Sequence, residues 1–288
     1  MIALLAASLI WAFSFGLIKT QLAGVPPDLV ALLRLALSAL LFAPFFRTAR
    51  IGPRLLGLLV CCGAVQFGLM YLAYLASFRY LKASEVALWT IFTPLYVVLL
   101  ADALARTFRG RNLAAAALSV LAAWLVVRGS AGQDLAGIGL VQVSNLCFAA
   151  GQVWYRRLIP PRADIRDHEI FAALYLGGTL LAALPAGLNP EALTGLTALT
   201  STQLATILYL GLIPSGLGFF LWNVGVRRTT EGTAGVMNNA KVPLAILVSW
   251  GIFEALPALE NLARTLVAVA LLIGALRLAE GRSPGKVD

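Results

Sequence analysis

Apolar residues fill this chain in long blocks separated by short polar breaks. The blocks run at about 2–18, 29–46, 55–78, 84–104, 112–127, 136–155, 169–187, 203–226, 232–252 and 260–278. Roughly 18 or more apolar residues are enough for a helix to cross the hydrocarbon core of a bilayer. Backbone in lipid must satisfy its own hydrogen bonds, so such blocks are expected as helices. The predicted fold class is all-α integral membrane, with ten transmembrane helices. The short connections make neighbours antiparallel hairpins.

The pattern occurs twice. Cys61 begins C-G-A-V-Q-F-G-L-M-Y-L-A-Y, and Leu212 begins L-I-P-S-G-L-G-F-F-L-W-N. Pro94 and Pro243 fall at matching places, each followed by Leu. The first block, from Ser8, pairs with the sixth, from Asn145, while Asp28 aligns with Glu169 and Pro44 with Pro185. The chain divides into repeats at 1–130 and 131–288, forming one membrane domain. Five spans per repeat is an odd number, so the two halves are expected in opposite orientations. Inverted repeats place a substrate site near the midplane, between the halves.

Composition removes other classes. Of 288 residues 60% are hydrophobic and 12% charged, with mean hydropathy +0.88, against about 25% charged in a soluble domain. The first block is expected to be a retained span, not a cleaved signal. Cys61, Cys62 and Cys147 sit in apolar runs and read as small buried hydrophobes. His168 is the single histidine, which excludes most metal sites. Lys and Arg in the connections divide fifteen to one side and four to the other. The richer side is expected to be cytoplasmic, which places both termini there, in a bacterial-type inner membrane. The net charge of +9 follows from that bias and suits anionic lipid. The arginines are spread over separate loops, so no nucleic-acid partner is expected.

These residues resemble the drug/metabolite transporter superfamily in its EamA-type, ten-helix form. The resemblance rests on W-A-F-S-F at Trp11 to Phe15, Arg34 in L-L-R-L-A, the repeated helix with its Pro, and P-L-A-I-L-V-S-W-G-I-F-E from Pro243 to Glu254. The position matching Glu254 in the first half is Ala105, with Asp102 nearby. The resemblance implies a secondary transporter that exports or exchanges small metabolites, amino acids among them. Another small metabolite or a drug-like cation is the alternative substrate.

Lys241 is the sharpest single feature. It lies mid-span between Asn239 and Pro243, and a charge at that depth is costly and normally faces the bundle interior. It is a candidate for meeting a substrate carboxylate. Asn239 needs hydrogen-bond partners in the apolar core. Asn223 aligns with Tyr74 and Gln66 with Ser215 across the repeat, which makes them candidates for a shared central space. Tyr71, Tyr74 and Phe78 share one helix face; with Trp89 and Phe220 they are candidates for an aromatic-lined pocket. A cation and aromatic walls together favour an aromatic or large neutral amino acid. Arg34 has Glu85 or a substrate carboxylate as alternative partners, and the structural ion pair is the preferred reading. The candidate substrate-binding set is Lys241, Asn223, Tyr74, Tyr71, Trp89, Asn239, Phe220 and Gln66.

No catalytic cluster, metal set or cofactor motif accompanies these residues, which disfavours a membrane-embedded enzyme. A channel would want a continuous polar stripe. The expected partners are a small-molecule substrate and membrane lipid, with no signal for an oligomeric state. Fusing green fluorescent protein to the C-terminus is expected to give fluorescent cells, and fusing alkaline phosphatase there an inactive reporter. The opposite pair of results would place that end outside the cytoplasm.

Overall fold

A computed structural model describes residues 1–47, 51–127, 134–160, 165–248 and 259–280. Among them there are helices and turns and no strand. In chain order they are α1 (Ile2–Gln21), α2 (Pro27–Phe45), α3 (Pro53–Ser77), α4 (83–105), α5 (Gly110–Val127), α6 (Leu135–Leu158), α7 (Asp167–Leu188), α8 (Ser201–Arg227), α9 (Glu231–Val248) and α10 (Leu259–Glu280). A short helix, Pro190–Thr197, precedes α8. Among the described residues six helices are long and apolar enough to cross a membrane: α2, α3, α6, α7, α8 and the 262–280 part of α10. Shorter apolar stretches lie in α1, α4 and α5. The expected end of the ninth span, and Glu254, lie outside the described residues.

Local sequence sets the helix ends. Pro27 and Pro53 occupy first-turn positions, where a missing N–H has no intrahelical partner to lose. Asp134 caps α6 by accepting from the Gly137 N–H at 2.9 Å. Thr200 and Gln203 form a capping box at the start of α8. Within α4 the sequence Thr90–Phe92 tightens to a 3₁₀ turn just before Pro94.

Two helices widen instead of tightening. Ala64–Leu69 in α3 and Gly211–Gly218 in α8 are π-helical. Pro94 and Pro243 are 149 positions apart, and 64–69 shifted by 149 gives 213–218, inside the second π segment. Such widened turns recur at functional sites. Pro214 sits within the second one, where it supplies no N–H.

The helices pack as α2 on α7 and α5 on α10. Meanwhile α1 lies against α8 and α9, and α6 lies against α3 and α4. Small residues permit the tightest crossing, as is usual in membrane bundles. A Cβ on Gly63 of α3 would strike the backbone of Leu174 on α7, and one on Gly177 of α7 would strike the Val60 carbonyl on α3. The two glycines are reciprocal.

One end of the bundle is tied by charge. Arg109 Nε donates to Asp102 Oδ1 at 2.8 Å, Arg109 Nη1 lies 3.1 Å from Glu231 Oε2, and Arg156 Nη1 lies 3.8 Å from Glu231 Oε1. Nearby helix ends hold a buried pair: Arg227 Nη1 is 3.0 Å from Asp167 Oδ1, which also accepts from Tyr155 at 2.5 Å. Asp102 is therefore a buried, paired carboxylate and not a solvated interfacial one.

Gly63→Val is expected to lower the melting temperature in detergent by roughly 5 °C or more, since overpacking costs about 1–3 kcal/mol. Gly57→Ala is the control, because a Cβ there meets nothing. An unchanged melting temperature for Gly63→Val would mean the α3–α7 crossing is looser than described.

Candidate functional site

Where α1, α2, α3, α4, α6, α8 and α9 converge, they line a cavity of about 80 Å³. Its wall carries Trp11, Ser14 and Ile18 from α1, Arg34 from α2, and Met70, Tyr71 and Tyr74 from α3. Thr90, Thr93, Ser144, Asn145, Phe148, Phe219 and Lys241 complete it. Two cations face this space, and no acidic residue lines it among the described residues.

Arg34 is only 2% exposed. Its Nε donates to Ser215 Oγ at 3.0 Å and its Nη2 to the Tyr71 hydroxyl at 2.8 Å. Ser215 Oγ donates to the Leu210 carbonyl at 2.7 Å, inside the π-helical stretch of α8. That uses the serine's only proton, so Tyr71 is the donor in the 2.9 Å contact between the two hydroxyls. Arg34 Nη1 is buried with no hydrogen-bond partner. The guanidinium also lies over the Tyr71 ring, 4.6 Å from its centroid.

The apolar wall is built around Trp11. Its ring lies 5.9 Å from Phe148 and 5.0 Å from Phe219. The Trp11 Nε1–H donates to the Pro214 carbonyl at 3.0 Å, so the same π segment also fixes the indole. Lys241 Nζ is 5.7 Å from the Trp11 ring and 3.4 Å from Asn238 Oδ1. Ile18 is shared with a second cavity of about 320 Å³, bordered by the turn around Gly24, the start of α2 and Phe78.

The sequence model of the EamA-like transporter family matches residues 1–128. The biotin transporter of Salmonella typhimurium is 37% identical over 259 residues, 88% of this chain and 85% of that protein. The biotin transporter of Escherichia coli is 36% identical over 257 residues, again 88% of this chain and 85% of that protein. The probable biotin transporter of Pseudomonas aeruginosa is 36% identical over 289 residues, 97% of this chain and 99% of that protein. The chain belongs to the EamA-like transporter family. A solved crystal structure with a TM-score of 0.73 covers 96% of both chains at 20% identity, which is a likeness of fold.

In this EamA-like transporter the residues nominated from sequence separate into two groups. Lys241, Tyr71 and Tyr74 stand in the cavity wall. The other five are engaged elsewhere. Gln66 Nε2 donates to Asn223 Oδ1 at 2.9 Å, and both side chains are fully buried; the amides join α3 to α8 instead of facing the cavity. Asn239 donates to the Ile91 carbonyl at 2.9 Å and to Ser119 at 3.3 Å, tying α9 to α4 and α5. Phe220 packs on Phe42 and Phe171, away from the cavity, while its neighbour Phe219 lines it. Trp89 stacks on Phe92, and its carbonyl accepts from Asn145 at 2.8 Å.

Arg34 is the main correction. The expected partner, Glu85, instead accepts from the Lys82 N–H at the start of its own helix. Arg34 forms no ion pair with it and reaches across to α3 and α8. Trp11 and Phe148 also escaped nomination, although the pairing of Ser8 with Asn145 aligns them.

Asn223→Leu is expected to destabilise the protein by about 1–3 kcal/mol, because Gln66 is left buried and unpaired. Adding Gln66→Leu should recover part of that loss in detergent melting. A double variant that melts lower than the sum of both singles would contradict a simple amide pair.

Proposed function

We propose that this membrane transporter carries biotin, and that the cavity between Arg34, Trp11 and Lys241 is its binding site. The observation carrying the proposal is a cavity with two buried cations, aromatic walls and no acidic residue among the described residues. Biotin is an anion at neutral pH, with a carboxylate on an alkyl chain and a compact fused ring bearing a urea. The cations suit the carboxylate, the rings of Trp11, Phe148 and Phe219 suit the bicycle, and the oxygens of Thr93 and Asn145 can accept from the urea N–H groups. The names of the three relatives point the same way.

An aromatic amino acid, expected from sequence, fits less well. Its carboxylate suits the cations, but its α-ammonium would enter a space that already holds two positive charges with no carboxylate among the described residues to meet it. Like charges at short range in low dielectric repel strongly. The relatives' names lend the amino-acid substrate no support.

The transport cycle we propose is alternating access by two inverted five-helix repeats. Exchanging α1–α5 with α6–α10 turns the α1–α9 contact into the α6–α4 contact and the α1–α8 contact into the α6–α3 contact, and both members of each pair occur. The α2–α7 and α5–α10 pairs map onto themselves. At about 80 Å³ the cavity is smaller than the roughly 300 Å³ of ordinary ligand sites, so binding goes with separation of its walls. Access is through the Ile18 end, while the Arg109–Asp102–Glu231 ion pairs close the opposite end.

Purified protein in liposomes is expected to take up labelled biotin saturably and to leave labelled phenylalanine and tryptophan outside. Amino-acid uptake without biotin uptake would overturn the assignment.

A further inference from the structure

We propose that Arg34, not Lys241, grips the substrate carboxylate, and that the transporter therefore selects a free carboxylate over its ester. This rests on the biotin reading and adds which end of the molecule is recognised, and by which side chain.

Arg34 is a buried guanidinium fixed at two of its three nitrogens. Ser215 holds Nε and Tyr71 holds Nη2, at 3.0 Å and 2.8 Å. The third nitrogen, Nη1, is buried and has no partner. A buried donor left unsatisfied is costly, and more so when it carries charge. A carboxylate oxygen supplies both an acceptor and the opposite charge, and charge-assisted bonds of this kind are the strong ones. The clamp is also directional. Ser215 gives its proton to Leu210, and Tyr71 gives its proton to Ser215, so both hydroxyls turn lone pairs to the guanidinium. The fork is thus oriented before any ligand arrives, which lowers the ordering cost of binding.

Lys241 is differently placed. Its ammonium has the Asn238 amide on its own helix at 3.4 Å and the Trp11 ring at 5.7 Å. An ammonium is a point charge without a fork to orient. It adds positive field to the cavity, and the ring packed beneath it also forms the apolar wall. Lys241 therefore adds to the preference for the acid through its field alone, and Arg34 supplies the directional bond.

The methyl ester of biotin keeps the ring, the chain and a carbonyl acceptor but loses the charge. Uptake of labelled biotin into proteoliposomes, with unlabelled biotin or its methyl ester as competitor, reads the difference. In the wild type the ester is expected to compete at least about tenfold more weakly, equivalent to about 1.4 kcal/mol. Arg34→Gln is expected to raise KM for biotin about tenfold or more and to remove most of the ester-to-acid difference. Lys241→Gln is expected to raise KM and to lower the ratio less than Arg34→Gln does, with the acid still preferred. An ester that competes as well as the acid in the wild type overturns the proposal, even if Arg34→Gln does not fold. So does a ratio that survives in Arg34→Gln or vanishes in Lys241→Gln. Wild-type protein that takes up no biotin defeats the biotin reading itself, a failure visible before any competitor is added.

Discussion

Ser215 Oγ is bound at once to its own helix and to two others. It donates to the Leu210 carbonyl in α8, accepts the Tyr71 hydroxyl from α3 and accepts Arg34 Nε from α2. A regular α-helix closes its backbone bonds four residues back. The π segment 211–218 breaks that ladder, and the partners it leaves are taken by the cavity. Ser215 bonds the carbonyl five residues back, and Trp11 bonds the carbonyl of Pro214. One widened turn therefore sets both the guanidinium and the indole, the charged and the apolar sides of the site. The matching π segment in α3 has another outcome, because Gln66 within it is occupied by Asn223. The two halves share a backbone irregularity and use it differently.

The balance of charge gives the cavity its chemistry. Three carboxylates elsewhere in the fold are matched to cations: Asp102 and Glu231 to Arg109, and Asp167 to Arg227. Those pairs gather at one end of the bundle. Arg34 and Lys241 lie apart from them, in a wall with no carboxylate among the described residues. Two cations without a counter-charge in low dielectric are expensive, and a ligand that brings a negative charge offsets that cost. The cavity is thus selective before shape is considered.

Much of the architecture was readable from the apolar blocks, because a helix in lipid has no alternative way to satisfy its backbone. The two π segments overlap when shifted by the 149 residues that separate Pro94 from Pro243. Lys241 was conspicuous because a mid-span charge has few places to go. Helix phase was not readable. Phe219 and Phe220 are adjacent, point about 100° apart on a helix of 3.6 residues per turn, and only Phe219 meets the cavity. The alignment of Asn223 with Tyr74 fixed equivalent backbone positions but not partners, and Gln66 claims the Asn223 amide. Arg34 was misjudged for a related reason: its partners are 37 and 181 positions away, and no local pattern announces them.

The most direct measurement is an experimental structure of the protein in a lipid nanodisc with biotin bound. A carboxylate oxygen within hydrogen-bond distance of Arg34 Nη1, with the bicycle among Trp11, Phe148 and Phe219, is the expected result. Biotin seated with its carboxylate on Lys241 alone, or outside the cavity altogether, would contradict the assignment of charge and shape to this site.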